Sequence, residues 1–368
     1  MAINILYVNG GPMNRGGIET FMMNYIRHMN LSRVHIDFAV KGPERGAYDD
    51  ELEELGCKIY RLPPKIKHPI RFQKELKTVL KKGNYQIVHS HADAMNCWIL
   101  KVAKECSVPV RIAHSHNTQH LTTNPIKFQI NEIARKNVNR YATDRFACSQ
   151  AAGEWLFGKE PFKIVRNAID TRDYAFDYEK RNLIRKKYGI SDETILLGHV
   201  GRFDTQKNHA FLIDMFAALT KKNASYKLMC VGDGWLRDGI EKAIEQNNLA
   251  DKIILTGQQE YAKDFYSAFD VYVFPSLFEG LGFVLIEAQA NGLTCVSSNT
   301  VPQETNLSGS DKMFYLPLES KKWVDKILDL GRPERYDGRQ CVVEHGYDIY
   351  CEAEELENAY ISMAQRKR

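Results

Sequence analysis

The sequence predicts an α/β protein of two Rossmann-like, doubly wound domains whose sheets face a cleft. Three observations carry that expectation. At 368 residues the chain is long enough for two domains that each bury a core. Strand patterns rich in β-branched and aromatic residues alternate with helical patterns in two successive series, as parallel sheets covered by helices require. In the second series four consecutive strands end in glycine or charge, at the carboxyl edges where such sheets bind ligands.

The first series opens with Ile3-Asn-Ile-Leu-Tyr-Val8, a strand pattern without the basic start and long apolar stretch of a signal peptide. Further strands are expected at 34–40, 86–90, 109–113 and 144–148, with helical patterns around 17–29, 70–82 and 93–105. A short strand, Lys163-Ile-Val-Arg166, precedes the expected join at Asn167-Ala-Ile-Asp-Thr171, and a polar stretch from Asp173 to Lys187 leads onward. The second series has strands at 194–200, 226–231, 252–256, 270–274 and 293–297, with helices around 207–220, 235–246 and 283–290. An acidic helix over 349–364 closes the pattern. The domains are therefore expected at 1–168 and 169–348, with 349–368 returning to the first.

Composition narrows the class. The chain is 44% hydrophobic and 26% charged, and no apolar run approaches the roughly 20 residues that span a bilayer. Its eight cysteines are scattered without a C-x-x-C pair, which reads as free thiols in a reducing cytoplasm rather than a zinc site or disulfide framework. Charge is uneven. Residues 1–170 hold 25 Lys/Arg against 16 Asp/Glu, or +9, while the remaining 198 hold 25 against 30, or −5. Between Lys58 and Lys82 nine basic residues face the single acid Glu75. There Ile70, Phe72, Leu76, Val79 and Leu80 recur at near-helical spacing between Arg71, Lys74, Lys77, Lys81 and Lys82. Such a helix can lie on an anionic membrane, or it can face the core and leave its basic side in water. Nucleic acid is not an expected partner, because only Tyr60 and Phe72 interleave the basic run.

The chemistry concentrates in Glu279-Gly-Leu-Gly-Phe-Val-Leu-Ile-Glu287. The strand Asp270-Val-Tyr-Val-Phe274 runs into Pro275, and Gly280 and Gly282 permit a tight turn with close approach of a ligand. Amides at the start of the helix from Phe283 form a phosphate site. Glu279 sits just outside that site and Glu287 about a turn inside the helix. Two acceptors flanking a phosphate cradle suit a nucleotide sugar, with phosphate in the middle and hydroxyls at both ends. The other strand ends add to this edge: Gly201-Arg202 with Lys207, Gly232-Asp-Gly234, and Gly257-Gln258-Gln259.

In this order Gly198-His-Val-Gly-Arg202-Phe-Asp-Thr-Gln-Lys207, Val231-Gly-Asp-Gly234 and the E-x7-E pair resemble the retaining glycosyltransferases of family four, which have the GT-B fold. The chain resembles the bacterial members of that family that act in exopolysaccharide and capsule assembly. Asn14-Arg-Gly16-Gly17-Ile-Glu19 is similar to the family's N-terminal Gly-Gly loop, His114-Ser-His116-Asn117 to its histidine-bearing loop, and Asn167-Ala-Ile-Asp170 to the entry into the second domain.

The resemblance implies an acceptor-side first domain and a donor-binding second one. Arg202 and Lys207 would neutralise the donor diphosphate, Glu279 would face the transferred sugar, and Glu287 would accept the ribose hydroxyls. Gly280, Leu281, Gly282 and Phe283 would hold phosphate and sugar oxygens, and Gln258 would lie near the base. Gly17 would let its loop approach the diphosphate, and His116 would face the anomeric carbon, with His89, His91 and His114 as competitors for that role. Glu304 reads as a solvated loop residue. No D-x-D appears in the chain, so no metal cofactor is expected. The expected reaction moves a hexose from a nucleotide-diphosphate sugar, UDP favoured over GDP, to a glycan or lipid-linked hydroxyl. The enzyme would be cytoplasmic, and peripheral on the inner face of the membrane. A GT-B sugar-nucleotide epimerase is the nearest alternative, and a polyanion-binding protein a distant one.

Overall fold

Parallel strands covered on both faces must be apolar along their whole length, and both series of strands meet that demand. The computed structural model describes residues 2–64, 67–259 and 262–366. By contacts the chain divides into Met1–Ala168 with Ile349–Arg368, and Ile169–Asp348.

The first unit begins with β1 (Ile3–Asn9), α1 (Gly17–His28), β2 (Val34–Lys41), α2 (Asp49–Glu54), β3 (Ile59–Leu62), α3 (Pro69–Gly83) and β4 (Ile87–His91). It continues with α4 (Asn96–Glu105), β5 (Val110–Ser115), α5 (Pro125–Asn137), β6 (Asp144–Ala147), α6 (Gln150–Phe157) and β7 (Lys163–Ile164). Its seven strands are ordered β3-β2-β1-β4-β5-β6-β7 and all pair parallel.

The second unit holds α7 (Tyr178–Lys187), β8 (Ile195–Val200), α8 (His209–Lys222), β9 (Tyr226–Val231), α9 (Arg237–Gln246), β10 (Ile253–Leu255) and β11 (Val271–Phe274). It ends with α10 (Phe283–Ala290), β12 (Thr294–Ser298), β13 (Met313–Leu316), α11 (Ser320–Leu330) and α12 (Gly338–Glu344). Its sheet, β10-β9-β8-β11-β12-β13, is parallel as well. In both sheets chain order reverses beside the first strand, between β1 and β4 and between β8 and β11. In each sheet that switch point opens its own crevice at the strands' carboxyl ends; the Gly-Gly loop follows a strand flanking the first, and the E-x7-E turn a strand flanking the second.

Each sheet carries an apolar core on each face. In the first unit one face packs α1 and the other α3 and α4. In the second, α8, α9 and α11 cover one face and α7 and α10 the other. The last helix, α13 (Ile349–Arg366), belongs to the first unit. Leu356 and Tyr360 are fully buried there, each contributing about 1.5–3 kcal/mol. Around them Glu357 accepts from the Asn30 amide at 2.7 Å and Arg166 pairs with Glu352 at 3.3 Å. In the second unit Asp270 anchors the start of β11. Its carboxylate takes Arg181 at 2.7 Å, Arg185 at 3.2 Å and the Leu196 amide at 2.8 Å.

One expectation needs correcting. The helix around 93–105 begins as a 3₁₀ turn, Asp93–Met95, with α4 starting only at Asn96, because Asp93 has φ +46° and cannot continue a right-handed helix. Of the two readings of the basic amphipathic helix, the core-facing one holds. Phe72, Leu76, Val79 and Leu80 are buried in the core, and of that stripe only Ile70 stands out, 83% exposed. Lys65 in that run lies outside the described residues.

Candidate active site

The loops after β8 and β11 are joined side chain to side chain. Lys207 Nζ meets Glu279 Oε1 at 2.6 Å and lies 4.7 Å above the Phe274 ring. Gln206 Nε2 donates to Glu279 Oε2 at 3.1 Å and to the Phe278 carbonyl at 2.9 Å, and the Gln206 carbonyl accepts from the Leu277 amide at 2.9 Å. One carboxylate is thus held by an ammonium and an amide. Arg202 is not brought to this pair. It stays largely exposed, with its Nε donating to Asp204 Oδ2 at 2.9 Å, while Asp204 Oδ1 accepts from the Lys207 amide at 3.2 Å. Asp204 therefore shapes the turn that presents both cations. Gly232 brings the next strand end in close: its φ is +141°, and a Cβ there would lie 2.1 Å from the Gly201 carbonyl.

The turn from Glu279 enters α10 through Gly282, whose φ of +94° is left-handed and favours glycine. No side chain caps α10, and with the Leu285 amide donating to the Gly282 carbonyl at 2.9 Å it is the Phe283 and Val284 amides that can meet an anion. Leu281 and Phe283 are buried beside that turn. Inside the helix Glu287 is almost fully buried, and both its oxygens are engaged. Tyr174 Oη donates to Oε1 at 2.9 Å and Tyr266 Oη donates to Oε2. Burial pushes this carboxyl up to about 7, against the lowering effect of the two hydroxyls and of Lys207. The ribose acceptor expected from the sequence is already paired to two tyrosines.

Gln258 is exposed at the end of β10, and its neighbour Gln259 folds back onto the Thr256 carbonyl at 2.7 Å. Glu304 is exposed, in the 3₁₀ turn Gln303–Thr305.

In the first unit α1 begins at Gly17, where a Cβ would meet nothing within 4 Å. Gly16 is the tighter of the two, since a Cβ there would lie 2.4 Å from Glu19 Oε2. His116 follows β5 directly, and its backbone amide donates to Asp93 Oδ1 at 2.7 Å while Asn117 Nδ2 donates to Oδ2 at 2.7 Å. Parallel pairing of β4 and β5 aligns four histidines on one face. His116 Nε2 lies 3.0 Å from His91 Nδ1, and His114 Nδ1 lies 3.0 Å from His89 Nε2. His89 Nδ1 then meets Tyr360 Oη at 2.7 Å, which meets Tyr7 Oη at 2.6 Å. Burial lowers all four imidazoles, His116 to about 3, so they stay neutral. Ring nitrogens of His89, His91 and His114 lie within 4.8 Å of one another. Both nitrogens of His89 are hydrogen-bonded, so ligation of a metal by all three would break an existing contact.

Sequence reasoning missed Asp204, Gln206, Asp93 and the tyrosines on Glu287. Asp204 had a local signal, an aspartate three residues before the lysine whose amide it accepts. Tyr174 and Tyr266 had none, being 113 and 21 residues from Glu287.

Two Rossmann-type sheets, the second with an E-x7-E turn and a lysine loop at its switch point, define a GT-B glycosyltransferase. Residues 15–173 match Glycosyltransferase Family 4 and residues 180–334 match Glycosyl transferases group 1. The chain belongs to this family of enzymes. It is 33% identical over 369 residues to the putative glycosyltransferase EpsF of Bacillus subtilis, covering 97% of this chain and 96% of that one. It is 28% identical to the capsular polysaccharide biosynthesis glycosyltransferase CapH of Staphylococcus aureus, covering 95% and 96%. Its fold is similar to that of HepE of Anabaena crystallised with UDP-glucose, with a TM-score of 0.80 at 17% identity over 98% of this chain and 100% of that one.

Proposed function

We propose that the enzyme is a retaining hexosyltransferase that uses a UDP-sugar, in preference to a GDP-sugar, and transfers to a hydroxyl of a glycan or lipid-linked acceptor in cell-surface polysaccharide assembly. The observation that carries this reading is the junction of Lys207, Glu279 and Gln206 at the uncapped start of α10. A diphosphate at those amides lies within reach of a fixed ammonium that neutralises charge developing on the leaving group. Arg202 supplies a further cation; Gly280, Leu281, Gly282 and Phe283 line the turn, and Glu287 and Gln258 take the nucleoside end. In the first unit Gly17 opens a loop with no side chain in the way. UDP is favoured because a fold neighbour was crystallised with UDP-glucose, and the polysaccharide setting follows the name of CapH.

Retention has its own support. Glu279 is committed to Lys207 and Gln206, and Glu287 to two tyrosines, so neither carboxylate is a ready nucleophile or base. That suits displacement on one face of the sugar, with the leaving phosphate taking the acceptor proton. Because Lys207, Arg202 and the α10 amides meet the diphosphate, the reaction needs no metal. The epimerase reading is not favoured, since the relatives are named as glycosyltransferases.

A peripheral membrane position is also part of the proposal. Among the described residues no helix is long and apolar enough to cross a bilayer. With the apolar side of α3 in the core, its exposed basic side supplies the attraction, and exposed Leu121, Ile126 and Ile133 at α5 offer apolar contact.

The test is a thermal-shift comparison of UDP, GDP and ADP, followed by NMR of the transferred sugar's anomeric proton. Selective stabilisation by UDP and an unchanged anomeric configuration are expected. A product of inverted configuration, or no nucleotide response, would overturn the reading.

A further inference from the structure

Both histidine pairs include an unmet nitrogen. His114 Nε2 is buried and has no hydrogen-bond partner among the described residues, and from His114 the chain runs through His89 and Tyr360 to the Tyr7 hydroxyl. The pair His91–His116 differs in having an end that is not buried. His91 Nε2 is buried and has no hydrogen-bond partner among the described residues. His116 Nδ1 is neither buried without a partner nor bonded to protein among those residues, so it is the nitrogen that faces solvent. The ring around it is held by stacking on His114 at 4.1 Å and by the edge of Phe21 at 5.3 Å.

The 3.0 Å contact between His91 Nδ1 and His116 Nε2 carries one proton. If His116 Nε2 donates it, His91 must carry its own proton on Nε2, a buried N–H with no acceptor beside the rings of Tyr7 and Phe21. If His91 Nδ1 donates it, His91 Nε2 is a bare lone pair. Either arrangement leaves His91 Nε2 unmet, but orphaned buried N–H groups are rarer than under-satisfied acceptors. The second arrangement wins, and it leaves His116 protonated on Nδ1, the solvent-facing nitrogen.

We infer that His91 is a positioning residue that locks His116 in its Nδ1–H tautomer, so that His116 offers substrate a hydrogen-bond donor and not a base. Asp93 fixes the backbone of the same residue through the 2.7 Å contact to its amide, and His91 fixes the ring. Burial keeps the imidazole neutral, which leaves the outward N–H suited to a sugar or phosphate oxygen and unsuited to taking a proton from the acceptor hydroxyl. The participation of His116 in transfer rests on the glycosyltransferase reading above; the tautomer does not.

The experiment is a long-range ¹H–¹⁵N correlation spectrum of the full chain with ¹⁵N-labelled histidine at pH 7.5, the His116 signals assigned by their loss in His116→Gln. Protonated Nδ1 and bare Nε2 are expected, and a protonated Nε2 would overturn the inference whatever the enzyme's activity. Transfer assays add a second readout. His91→Leu removes the donor and should lower kcat about ten-fold, a loss typical of one buried hydrogen bond. His91→Asn, whose amide nitrogen stands close to where imidazole Nδ1 was, should recover most of that loss. Equal loss in both variants, or none in His91→Leu, counts against His91 as the positioning group. Should His91→Leu fail to fold, the wild-type spectrum still decides.

Discussion

Glu287 offers the sharpest test of the donor site, because its ionisation falls at working pH. The perturbation is a pH series from 6 to 8 on the wild type and on Glu287→Gln. Burial raises the carboxyl to about 7, so it is mostly protonated at the lower end and mostly ionised at the upper. If only the carboxylate accepts the nucleotide's hydroxyls, the competent fraction grows from about 9% to about 91%, and the apparent Kd for UDP tightens about ten-fold. That is ~1.4 kcal/mol, within easy reach of calorimetry. The phosphate of UDP titrates in the same range, but it does so equally in both proteins, so the difference between their slopes isolates Glu287. Stability moves the opposite way. A folded pKa above the ordinary glutamate value of 4.5 means that the folded state binds more protons, so this contribution is full below pH 4.5 and is lost as pH rises through about 7. Its size is on the order of 3 kcal/mol, and apo wild type should lose stability relative to Glu287→Gln across that window. Parallel pH slopes for UDP binding in the two proteins would refute the reasoning.

Replacing Lys207 by Ala should lower kcat about 100-fold or more, in line with the loss of one preorganised charge-stabilising group. The change also leaves the buried Glu279 carboxylate without its ammonium, so it is best measured beside Lys207→Ala/Glu279→Gln, with melting curves for both. Asp270→Ala should destabilise the second unit by about 3–5 kcal/mol, since it leaves the buried Arg185 and the half-buried Arg181 without their carboxylate; a fall in melting temperature of less than ~3 °C would contradict that. Turnover should persist after exhaustive treatment with EDTA, and its loss with recovery on adding magnesium or manganese would transfer the diphosphate role from Lys207 to an ion. Flotation with anionic vesicles should be strong at low salt and weak at high salt, as expected of basic side chains meeting a surface potential; equal binding to neutral vesicles would count against it.

Much of the fold was legible because a parallel strand buried on both faces announces itself locally. Ile195–Val200 and Val271–Phe274 are apolar runs whatever surrounds them, and the loops after them carry glycine and charge at a spacing that the turn itself requires. Legibility ended where a residue's meaning depends on which side of it is covered. The stripe Phe72, Leu76, Val79 and Leu80 is the same whether it meets lipid or a neighbouring helix, and only α4 packed against it decides. The helix α5 went unread although Ile126, Ile130 and Ile133 recur at helical spacing, Asn124 caps its start and Pro125 opens it. The same limit applies to chemistry. Spacing alone places Glu287 a turn inside α10, yet its proton affinity is raised by burial and lowered by Tyr266 and by Tyr174, 113 residues away. Likewise His116 reads as an imidazole of either tautomer until β4 lies beside β5 and brings His91 to 3.0 Å. A carboxylate's charge and an imidazole's proton are set by neighbours remote in sequence. The groups that decide reactivity are therefore the ones whose identity a motif can name and whose state only the packed chain can assign.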